Sequence, residues 1–422
     1  MLDSYGIRAE FPGLDTDMVF MDNAGGSQTL RRVVDRIGDF LLTSNVQLGA
    51  SYATSVKAGE RVLESRVRAA TLVNAARPEE IVMGGSSTAL LRMLVQGLTP
   101  LFAPGDELIV TNLDHEANIG AWLALAERGV VIRFWTVNRD TLRLEIADLQ
   151  LLLGARTRML ALTYASNVLG GITPVPEAVR LARSVGAMVC VDGVAYAPHR
   201  AIDVQALDVD FYVFSYYKLF GPHYAMLYGK YQHLLRMANL NHGFIAADDV
   251  PYKLQPGNQN YELGWGATAI SDYLADLGAG LGADVGVSLG ADLGPSLGEA
   301  GDERACIVSA YAGIAGHEAA LSAHLLSYLG SRNTVTIQGD PTADPDRRVS
   351  TISFTVRGKL SEDVVRAVDR HGIGIRFGDF YAKRLIDALG LRPQGGVIRV
   401  SMVHYNTLDE VDRLMRALDE AF

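Results

Sequence analysis

The chain has only two cysteines among its 422 residues, Cys190 and Cys306. A disulfide framework is therefore excluded, and the apolar run AMVCVDG predicts that Cys190 is a small buried side chain. The sequence also lacks an apolar stretch of membrane-spanning length and a basic, apolar leader at its start. We therefore expect a cytoplasmic protein that does not contact a membrane.

Basic clusters are absent as well, and the net charge is −10. Nucleic-acid binding needs clustered lysine and arginine, so we expect no nucleic-acid partner. No GxGxxG follows the first strand-like run, which argues against a nicotinamide cofactor. We also expect no metal site. What the sequence does contain is 49% hydrophobic and 20% charged residues, which is typical of a globular protein with a large core.

From about residue 17 to 230, short apolar runs alternate with helix-like segments. Examples are EEIVMGG before STALLRMLVQGL and DELIVTN before EANIGAWLALAERG, and MVFMD (18–22) begins the series. This alternation predicts an α/β fold with a mostly parallel sheet that has helices on both faces. Ligands of such sheets bind beyond the carboxyl ends of the strands.

The remaining sequence predicts further units. Residues 277–303 are rich in Gly, Ala, Asp and Leu, which indicates an inserted loop or a frayed helix. After them, helix-like and strand-like segments form a smaller C-terminal α+β domain of ordinary size. The predicted division is an N-terminal segment that packs on the small domain, a large domain, the insertion and the small domain: 1–17, 18–276, 277–303 and 304–422.

One lysine follows an apolar strand, in the segment FSYYKLFGPH (214–223). A buried lysine is costly unless it is paired, deprotonated or used covalently. The alternative is that the stem of Lys218 packs on neighbouring rings while the ammonium group reaches water.

Four other strand ends carry polar residues, each with an ordinary structural alternative. Ser86 and Ser87 in GGSSTAL open a helix and suit a phosphate, or they cap the helix. His115 in TNLDHEAN and Asn167 in TYASNVLGG fit a ligand site, or a structural hydrogen bond and a turn. Asp192 in VCVDGVAYAPHR is a nearly buried carboxylate that needs a cationic partner.

Taken together, these residues predict pyridoxal 5′-phosphate (PLP). This cofactor needs an amine for its aldehyde, a carboxylate for its pyridine nitrogen, an anion cradle and a ring-stacking group. Lys218, Asp192, the GGSST helix start and His115 provide them in turn.

The run VDGVAYAPHRAIDVQALDVDFYVFSYYKLFGPH resembles the lysine segment of the cysteine-desulfurase-like enzymes in aminotransferase class V. FMDNAGGSQT (20–29) resembles the N-terminal active-site loop of the family, and VIRVSMVHYNTLDEVDRL (397–414) its C-terminal signature. The resemblance covers most of the chain apart from the insertion. It implies the aspartate-aminotransferase-like fold type I of PLP enzymes, with 18–276 as the PLP-binding domain, and a homodimer with shared active sites.

The resemblance also implies roles. Lys218 would form the Schiff base, Asp192 would contact the pyridine nitrogen, and His115 would stack on the ring. Asn167 would lie near the phenolic oxygen. The rest of the cofactor site would comprise Ser86, Ser87, Ser215 and Tyr217. An amino-acid substrate would meet Arg399, which clamps the carboxylate, together with Arg376, Tyr381, Asn23 and Ala24.

The sequence departs from the family at four positions. The loop RFGDFYAK has Tyr381 where desulfurases carry the cysteine that takes up sulfur. Tyr217 replaces a histidine, Ala195 replaces a glutamine, and Trp265 replaces a threonine donated by the second subunit. The resemblance is therefore to a divergent subgroup that includes decarboxylating, carbon–carbon bond-forming enzymes.

Several functions follow from this pattern. The first is a PLP-dependent lyase or transferase acting on a small L-amino acid at Cβ, by β-elimination or by loss of a β-carboxylate or sulfinate with capture of the enamine by water or an aldehyde. Transamination and epimerisation are alternatives within the same class. A desulfurase that uses Cys306 or Cys190 and a binder without activity are the other two alternatives.

Overall fold

A computed structural model of the chain describes residue 2, residues 4–284 and residues 300–422. The strands in chain order are β1 (Val19–Phe20), β2 (Ile81–Gly84), β3 (Glu107–Thr111), β4 (Val131–Trp135), β5 (Thr157–Thr163), β6 (Met188–Asp192), β7 (Phe211–Ser215), β8 (Ala225–Gly229), β9 (Val335–Gln338), β10 (Thr351–Val356), β11 (Ile373–Gly374), β12 (Arg376–Gly378) and β13 (Val397–Ser401). The helices are α1 (Ser4–Ala9), α2 (Arg31–Thr43), α3 (Ala53–Val73), α4 (Ser87–Leu98), α5 (Glu116–Leu123), α6 (Ile146–Leu152), α7 (Val175–Ser184), α8 (Val204–Leu207), α9 (Tyr231–Arg236), α10 (Tyr261–Asp284), α11 (Ala300–Gly330), α12 (Ser361–Asp369), α13 (Lys383–Ala388) and α14 (Leu408–Ala421).

The large sheet has seven strands in the order β2-β8-β7-β6-β5-β3-β4. Only β8 is antiparallel to its neighbours, so the predicted mostly parallel sheet is confirmed. Every residue of β3 and β7 is buried, because helices cover both faces and leave no side of these strands in water. The sheet therefore brings the polar ends of β5, β6 and β7 to one edge.

Two strands differ from the expectation. MVFMD was expected to begin the large sheet, but only Val19 and Phe20 are extended, and they pair in parallel with Ile373–Gly374. The second difference is β8, an antiparallel strand that directly follows the lysine segment. All residues of β8 are buried. A short apolar run of this kind does not reveal whether it forms a parallel strand, an antiparallel strand or part of a buried helix.

The C-terminal part contains an antiparallel sheet in the order β12-β13-β10-β9, as the α+β pattern predicted. α12, α14 and the end of α11 supply its core through residues such as Leu325, Val365 and Leu414. α10 continues past the predicted boundary at 276, and residues 285–299 of the predicted insertion lie outside the described residues. The domain division itself stays a prediction.

The N-terminal segment contacts the C-terminal part of the chain. Arg8 forms a salt bridge with Glu410 at 2.8 Å, and the ring of Phe11 lies 5.0 Å from that of Tyr405, measured between centroids. Among the helices that the structure describes, none combines the length and the apolar character needed to cross a membrane. The cytoplasmic location stays a prediction.

The turn after β5 fixes the C-terminal sheet against the large one. Gly170 has φ +72°. Its N–H donates to the carbonyl oxygen of Ser166 at 3.0 Å, and its carbonyl oxygen accepts from the N–H of Val349 at 2.9 Å. A Cβ at Gly170 would collide with the carbonyl oxygen of Thr351, whereas a Cβ at Gly171 would meet open space.

We predict that Gly170→Ala lowers the free energy of unfolding by at least about 2 kcal/mol, because it combines a left-handed backbone with a clash against main chain. Gly171→Ala is the matched control and should change it by less than about 1 kcal/mol. Chemical denaturation of both variants checks this. Equal destabilisation of the two variants would contradict the assignment.

Candidate active site

A cavity of ≈ 400 Å³ opens at the carboxyl ends of β5, β6 and β7. It is lined by Gly25, Gly85, Ser86, Ser87, Thr88, His115, Ala117, Thr163, Asn167, Asp192, Val194, Ala195, Ser215, Tyr217, Lys218 and His223. The structure thus brings together all eight residues that the sequence predicted for the cofactor, from segments spread over more than a hundred positions.

Lys218 lies at the end of a single helical turn that follows β7, and 7% of it is exposed. Burial first, and then the positive charge of Arg399, lower the pKa of its ammonium group from 10.5 to about 8, against the opposing effect of Asp192. Lys218 is thus buried in the wall of the cavity. With this pKa about a tenth of the amine is neutral at pH 7, far more than for an ordinary lysine, so it can act as a nucleophile.

Asp192 ends β6, the neighbour of β7, and 5% of it is exposed. Its Oδ1 accepts a hydrogen bond from the backbone N–H of Val194 at 2.9 Å. Burial raises the pKa of the carboxyl group, while that hydrogen bond and the charge of Lys218 lower it. A carboxylate in this position is stabilised by a cationic partner in the cavity.

His115 caps the start of α5. Its Nδ1 accepts a hydrogen bond from the N–H of Ala117 at 3.1 Å, which assigns the ring proton to Nε2. Burial, and then the charges of Lys218 and Arg399, lower the pKa of the ring from 6.5 to about 4. His115 is therefore a neutral, flat ring in the cavity wall at neutral pH.

Hydroxyl groups and a helix start line another part of the cavity. Ser86 caps α4 by accepting a hydrogen bond from the N–H of Ala89 at 3.1 Å, so the capping alternative holds, yet its own proton stays available. Ser87 and Thr88 add two further hydroxyls, and Ser215 adds a third whose Oγ donates to the carbonyl oxygen of Tyr224 at 3.3 Å. The positive end of α4 and these donors suit an anion.

Asn167 is 6% exposed, and its Nδ2 donates to the carbonyl oxygen of Phe380 at 2.9 Å. The backbone carbonyl oxygen of Asn167 accepts a hydrogen bond from Nη1 of Arg399 at 3.0 Å. In this structure the amide of Asn167 thus fixes the loop of the C-terminal part, although the residue also lines the cavity.

The two arginines predicted for the substrate share one carboxylate. Nη2 of Arg399 donates to Oδ1 of Asp22 at 2.8 Å, and Nε of Arg376 lies 3.0 Å from Oδ2. Arg399 is 2% exposed, whereas the side chain of Arg376 is 57% exposed. The three groups carry one net positive charge, which one further carboxylate would neutralise. Asp22 itself was missed, although it ends the apolar run MVFMD within the motif FMDNAGG.

Asn23 and Ala24 do not line the cavity. Nδ2 of Asn23 donates to the carbonyl oxygen of Ser401 at 2.9 Å, and the N–H of Ala24 donates to Oγ of Ser401 at 2.8 Å. These contacts fix the N-terminal loop on β13, and the loop reaches the cavity at Gly25. The predicted contact of Asn23 and Ala24 with substrate stays a prediction.

Tyr381 lies outside the cavity wall, with 72% of it exposed. Its ring centroid is 5.2 Å from that of His115, at 40°. Phe380 and Tyr381 have φ of +53° and +59°, a conformation that is uncommon outside glycine and that other contacts must stabilise. Those contacts are the Asn167–Phe380 hydrogen bond and one from the N–H of Glu116 to the carbonyl oxygen of Tyr381 at 2.8 Å.

No cysteine is among the described residues that line the cavity. Cys190 is fully buried in β6, as predicted, and burial raises the pKa of its thiol. Cys306 belongs to α11, where its carbonyl group lies against Gly278 of α10. A cluster of side chains able to hold a metal ion is likewise not found within the described ranges.

Two more residues of the site were missed. His223 ends the segment FSYYKLFGPH and lines the cavity, but no pattern in the sequence indicated a role for it. Asp114 precedes His115 and is buried, and burial raises the pKa of its carboxyl group to about 7. It accepts from Nδ2 of Asn118 at 2.6 Å, so it braces the segment that carries His115. The position next to a candidate histidine was its only signal.

The sheet, its strand-end lysine and the C-terminal α+β part define fold type I of the PLP-dependent transferases. The aminotransferase class-V family matches residues 19–273 and 309–414, and the chain belongs to that family. The resemblance noted in the sequence is thereby confirmed.

Relatives and solved structures agree. The chain is 38% identical to the aminotransferase-like protein FGM3 of Gibberella zeae, over 98% of this chain and 97% of that protein. It is 33% identical to the cysteine desulfurase-like protein ustD of Aspergillus flavus, over 100% and 91% of the two chains. The crystal structure of the cysteine desulfurase CsdA from Escherichia coli superposes with a TM-score of 0.81 at 28% identity, and covers 100% of this chain and 98% of that one.

We predict that, once any bound carbonyl compound has been removed with hydroxylamine, Lys218 reacts with an acylating reagent with a midpoint near pH 8. At that pH half of its amine is neutral, whereas an ordinary lysine with a pKa near 10.4 is neutral to less than about 1%. Competitive labelling with mass spectrometry between pH 6 and 11 measures the midpoint, and the exposed Lys57 is the reference within the same sample. A midpoint for Lys218 at or above that of Lys57 would contradict the lowered pKa.

Proposed function

We propose that the protein is a PLP-dependent enzyme that acts on a small L-amino acid at Cβ without a protein thiol. Its reaction class is that of a Cβ lyase or of a decarboxylative, carbon–carbon bond-forming enzyme. The observation that carries this proposal is the pairing of an amine of lowered pKa with a buried carboxylate in one cavity, next to a loop that has tyrosine where desulfurases carry cysteine.

The residues present fit the cofactor of the family. Lys218 offers a reactive amine, Asp192 a charge partner for a protonated ring nitrogen, and His115 a neutral flat ring. The hydroxyls at the start of α4 offer an anion cradle. When bound, PLP supplies an electron-accepting ring that stabilises negative charge on an amino acid.

The chain's own groups then divide the work. Nζ of Lys218, with a pKa of about 8, both accepts and donates a proton near neutral pH. The carboxylate of Asp192 favours a positively charged group of the ligand at its end of the cavity, because an unpaired buried carboxylate would be costly. Asp114 and the hydrogen bond from Ala117 hold the segment of His115 in place.

Arg399 and Arg376 are proposed to bind the carboxylate of the amino acid. A planar guanidinium binds a carboxylate through two parallel hydrogen bonds, and the pair with Asp22 retains one positive charge for it. Tyr381 is proposed to shape the entrance above His115, on a loop that the contacts of Asn167 and Glu116 hold in its strained conformation.

A cysteine desulfurase is the second candidate, which the printed names of the relatives favour. It requires a thiolate that reaches the substrate sulfur. Buried Cys190 is unsuited to this because the pKa of its thiol is raised, and the phenol of Tyr381 cannot take up a sulfur atom. Transamination and epimerisation need no thiol, and they remain alternatives within the proposed class.

A homodimer is also proposed. In the single chain, α2 and α3 expose five apolar side chains: Val34, Leu41, Leu42, Val56 and Leu63. Burial of such a surface against a second copy would be favourable. The indole of Trp265 contacts both helices: the guanidinium carbons of Arg36 and Arg61 lie 5.2 and 5.0 Å from its ring centroid. Its reach towards the partner's active site stays a prediction.

We predict that borohydride reduction of the protein with PLP attaches one pyridoxyl group, on the peptide that contains Lys218. Lys218→Ala should remove this label, because no other amine lines the cavity within the described residues, and Lys57→Ala should retain it. Peptide mass spectrometry provides the measurement. A single stoichiometric label on another lysine would refute the proposed site.

We also predict that L-cysteine leaves no stoichiometric persulfide on the protein and releases little sulfide. Mass spectrometry of the peptides with Cys190 and Cys306 tests the first point. Rapid desulfuration with sulfur on either peptide would restore the desulfurase assignment.

Tyr381→Phe separates two roles for the phenol in that experiment. If Tyr381 only packs its ring on the loop, kcat and specificity should not change across a panel of amino acids. If its hydroxyl shapes the entrance, kcat should fall or the preferred amino acid should change. We expect the second result, because the ring of Tyr381 lies beside His115 while 72% of the residue is exposed, which leaves its hydroxyl accessible to an entering substrate.

A further inference from the structure

His223 lies at the hydroxyl-lined part of the cavity. In the antiparallel register of β2 and β8, Gly84 pairs with Ala225, and on the other side of β8 Ser215 pairs with the same residue. The chain therefore leaves β2 towards Ser86 beside the point where it enters β8 from His223. Three of the segments that line the cavity meet there.

The imidazole of His223 is stacked on a tyrosine. The rings of His223 and Tyr217 are 5.0 Å apart between centroids and nearly parallel, at 8°. The ring of Tyr217 is itself close to Gly26, where an added Cβ would lie 3.2 Å from two ring carbons. Tyr217 is thus confined between the N-terminal loop and His223, and the stack fixes the plane of the imidazole.

The ring nitrogens of His223 are available. No hydrogen bond joins them to any residue of the described ranges, and the recorded ring contact is the stack with Tyr217. An imidazole that is oriented by its face keeps both nitrogens at its edge, where they can meet a ligand in the cavity.

Charge favours an anionic ligand at this place. The described basic residues in the cavity wall are His115, Lys218 and His223. His115 is neutral, with Nδ1 already engaged, and Lys218 is the proposed attachment point for the cofactor. His223 is then the remaining basic side chain that can bind the phosphate. Without it, only the hydroxyls and the start of α4 would balance the negative charge of the phosphate.

We propose that His223, held by its stack on Tyr217, binds the phosphate group of PLP. The proposal rests on the proposed function, since it requires the cofactor to attach at Lys218. It assigns a role to a residue for which the sequence patterns indicated none, and it explains why a tyrosine is suited to position 217, where its ring orients the imidazole.

The test compares PLP with pyridoxal, which lacks the phosphate, in the full-length protein. Absorbance titration gives the Kd of each compound for the wild type, His223→Ala and His223→Lys, and the thermal shift at saturation is a second readout. We expect His223→Ala to raise the Kd for PLP roughly 10- to 100-fold, as loss of a charged hydrogen bond does, and to leave the Kd for pyridoxal unchanged. His223→Lys should recover part of the PLP affinity.

Two control variants complete the experiment. His242→Ala removes an exposed histidine outside the cavity and should change neither Kd. Tyr217→Ala removes the stack and should weaken PLP binding more than pyridoxal binding. Pyridoxal binding also shows that each variant has folded.

The outcomes separate this proposal from the proposed function. If the wild type binds PLP and His223→Ala binds it equally well, or loses PLP and pyridoxal by the same factor, His223 does not bind the phosphate. A loss of amino-acid affinity with unchanged PLP affinity would likewise overturn the proposal. If the wild type takes up no PLP at all, the proposed function fails, and this inference fails with it.

Discussion

An ammonium group and a carboxylate lie buried at the ends of two neighbouring parallel strands, and the rest of the site is arranged around them. Asp192 is the last residue of β6, and Lys218 follows β7. Because β6 and β7 pair in parallel, the two side chains come to the same edge of the sheet. Burial alone would expel both charges, and it shifts the pKa of each group towards its neutral form. Such a pair persists in a core only when other groups use or balance it, which makes the cavity around it the natural place for a charged ligand.

Two arginines and one aspartate determine the positive charge near this pair. Arg399 is buried, and its charge depresses the pKa values of both Lys218 and His115. Asp22 limits that effect, because it compensates Arg399 and Arg376 together. The same carboxylate therefore does two things at once: it makes a buried arginine tolerable, and it leaves one positive charge for an incoming acid.

Much of the fold and the large-domain part of the site could be predicted, because both depend on local patterns. Apolar runs that end in polar residues indicated the strands, and the carboxyl ends of parallel strands meet at one edge, so Ser86, His115, Asn167, Asp192 and Lys218 were found together. Contacts between remote segments could not be read in this way. The bridge from Asp22 to Arg399 spans 377 positions, and the pairing of β1 with β11 moved MVFMD out of the large sheet. The stack of His223 on Tyr217 joins residues that are close in sequence, but it depends on the conformation of the turn between them, which the sequence pattern does not specify.

The division of the site between two parts of the chain explains how chemistry can change while the cofactor cradle is retained. The cradle residues belong to the segments of the large sheet, whereas Arg376, Phe380, Tyr381 and Arg399 come from the C-terminal part. On the loop of Tyr381 the acceptors are backbone oxygens: the side chain of Asn167 donates to the carbonyl oxygen of Phe380, and the N–H of Glu116 donates to that of Tyr381. The side chain of Arg399 in turn donates to the backbone carbonyl oxygen of Asn167. A contact made by backbone survives a change of side chain. A tyrosine at position 381, where the resemblance implies a cysteine, therefore leaves the attachment of the loop unchanged, and it offers no sulfur acceptor beside the groups proposed to hold the cofactor.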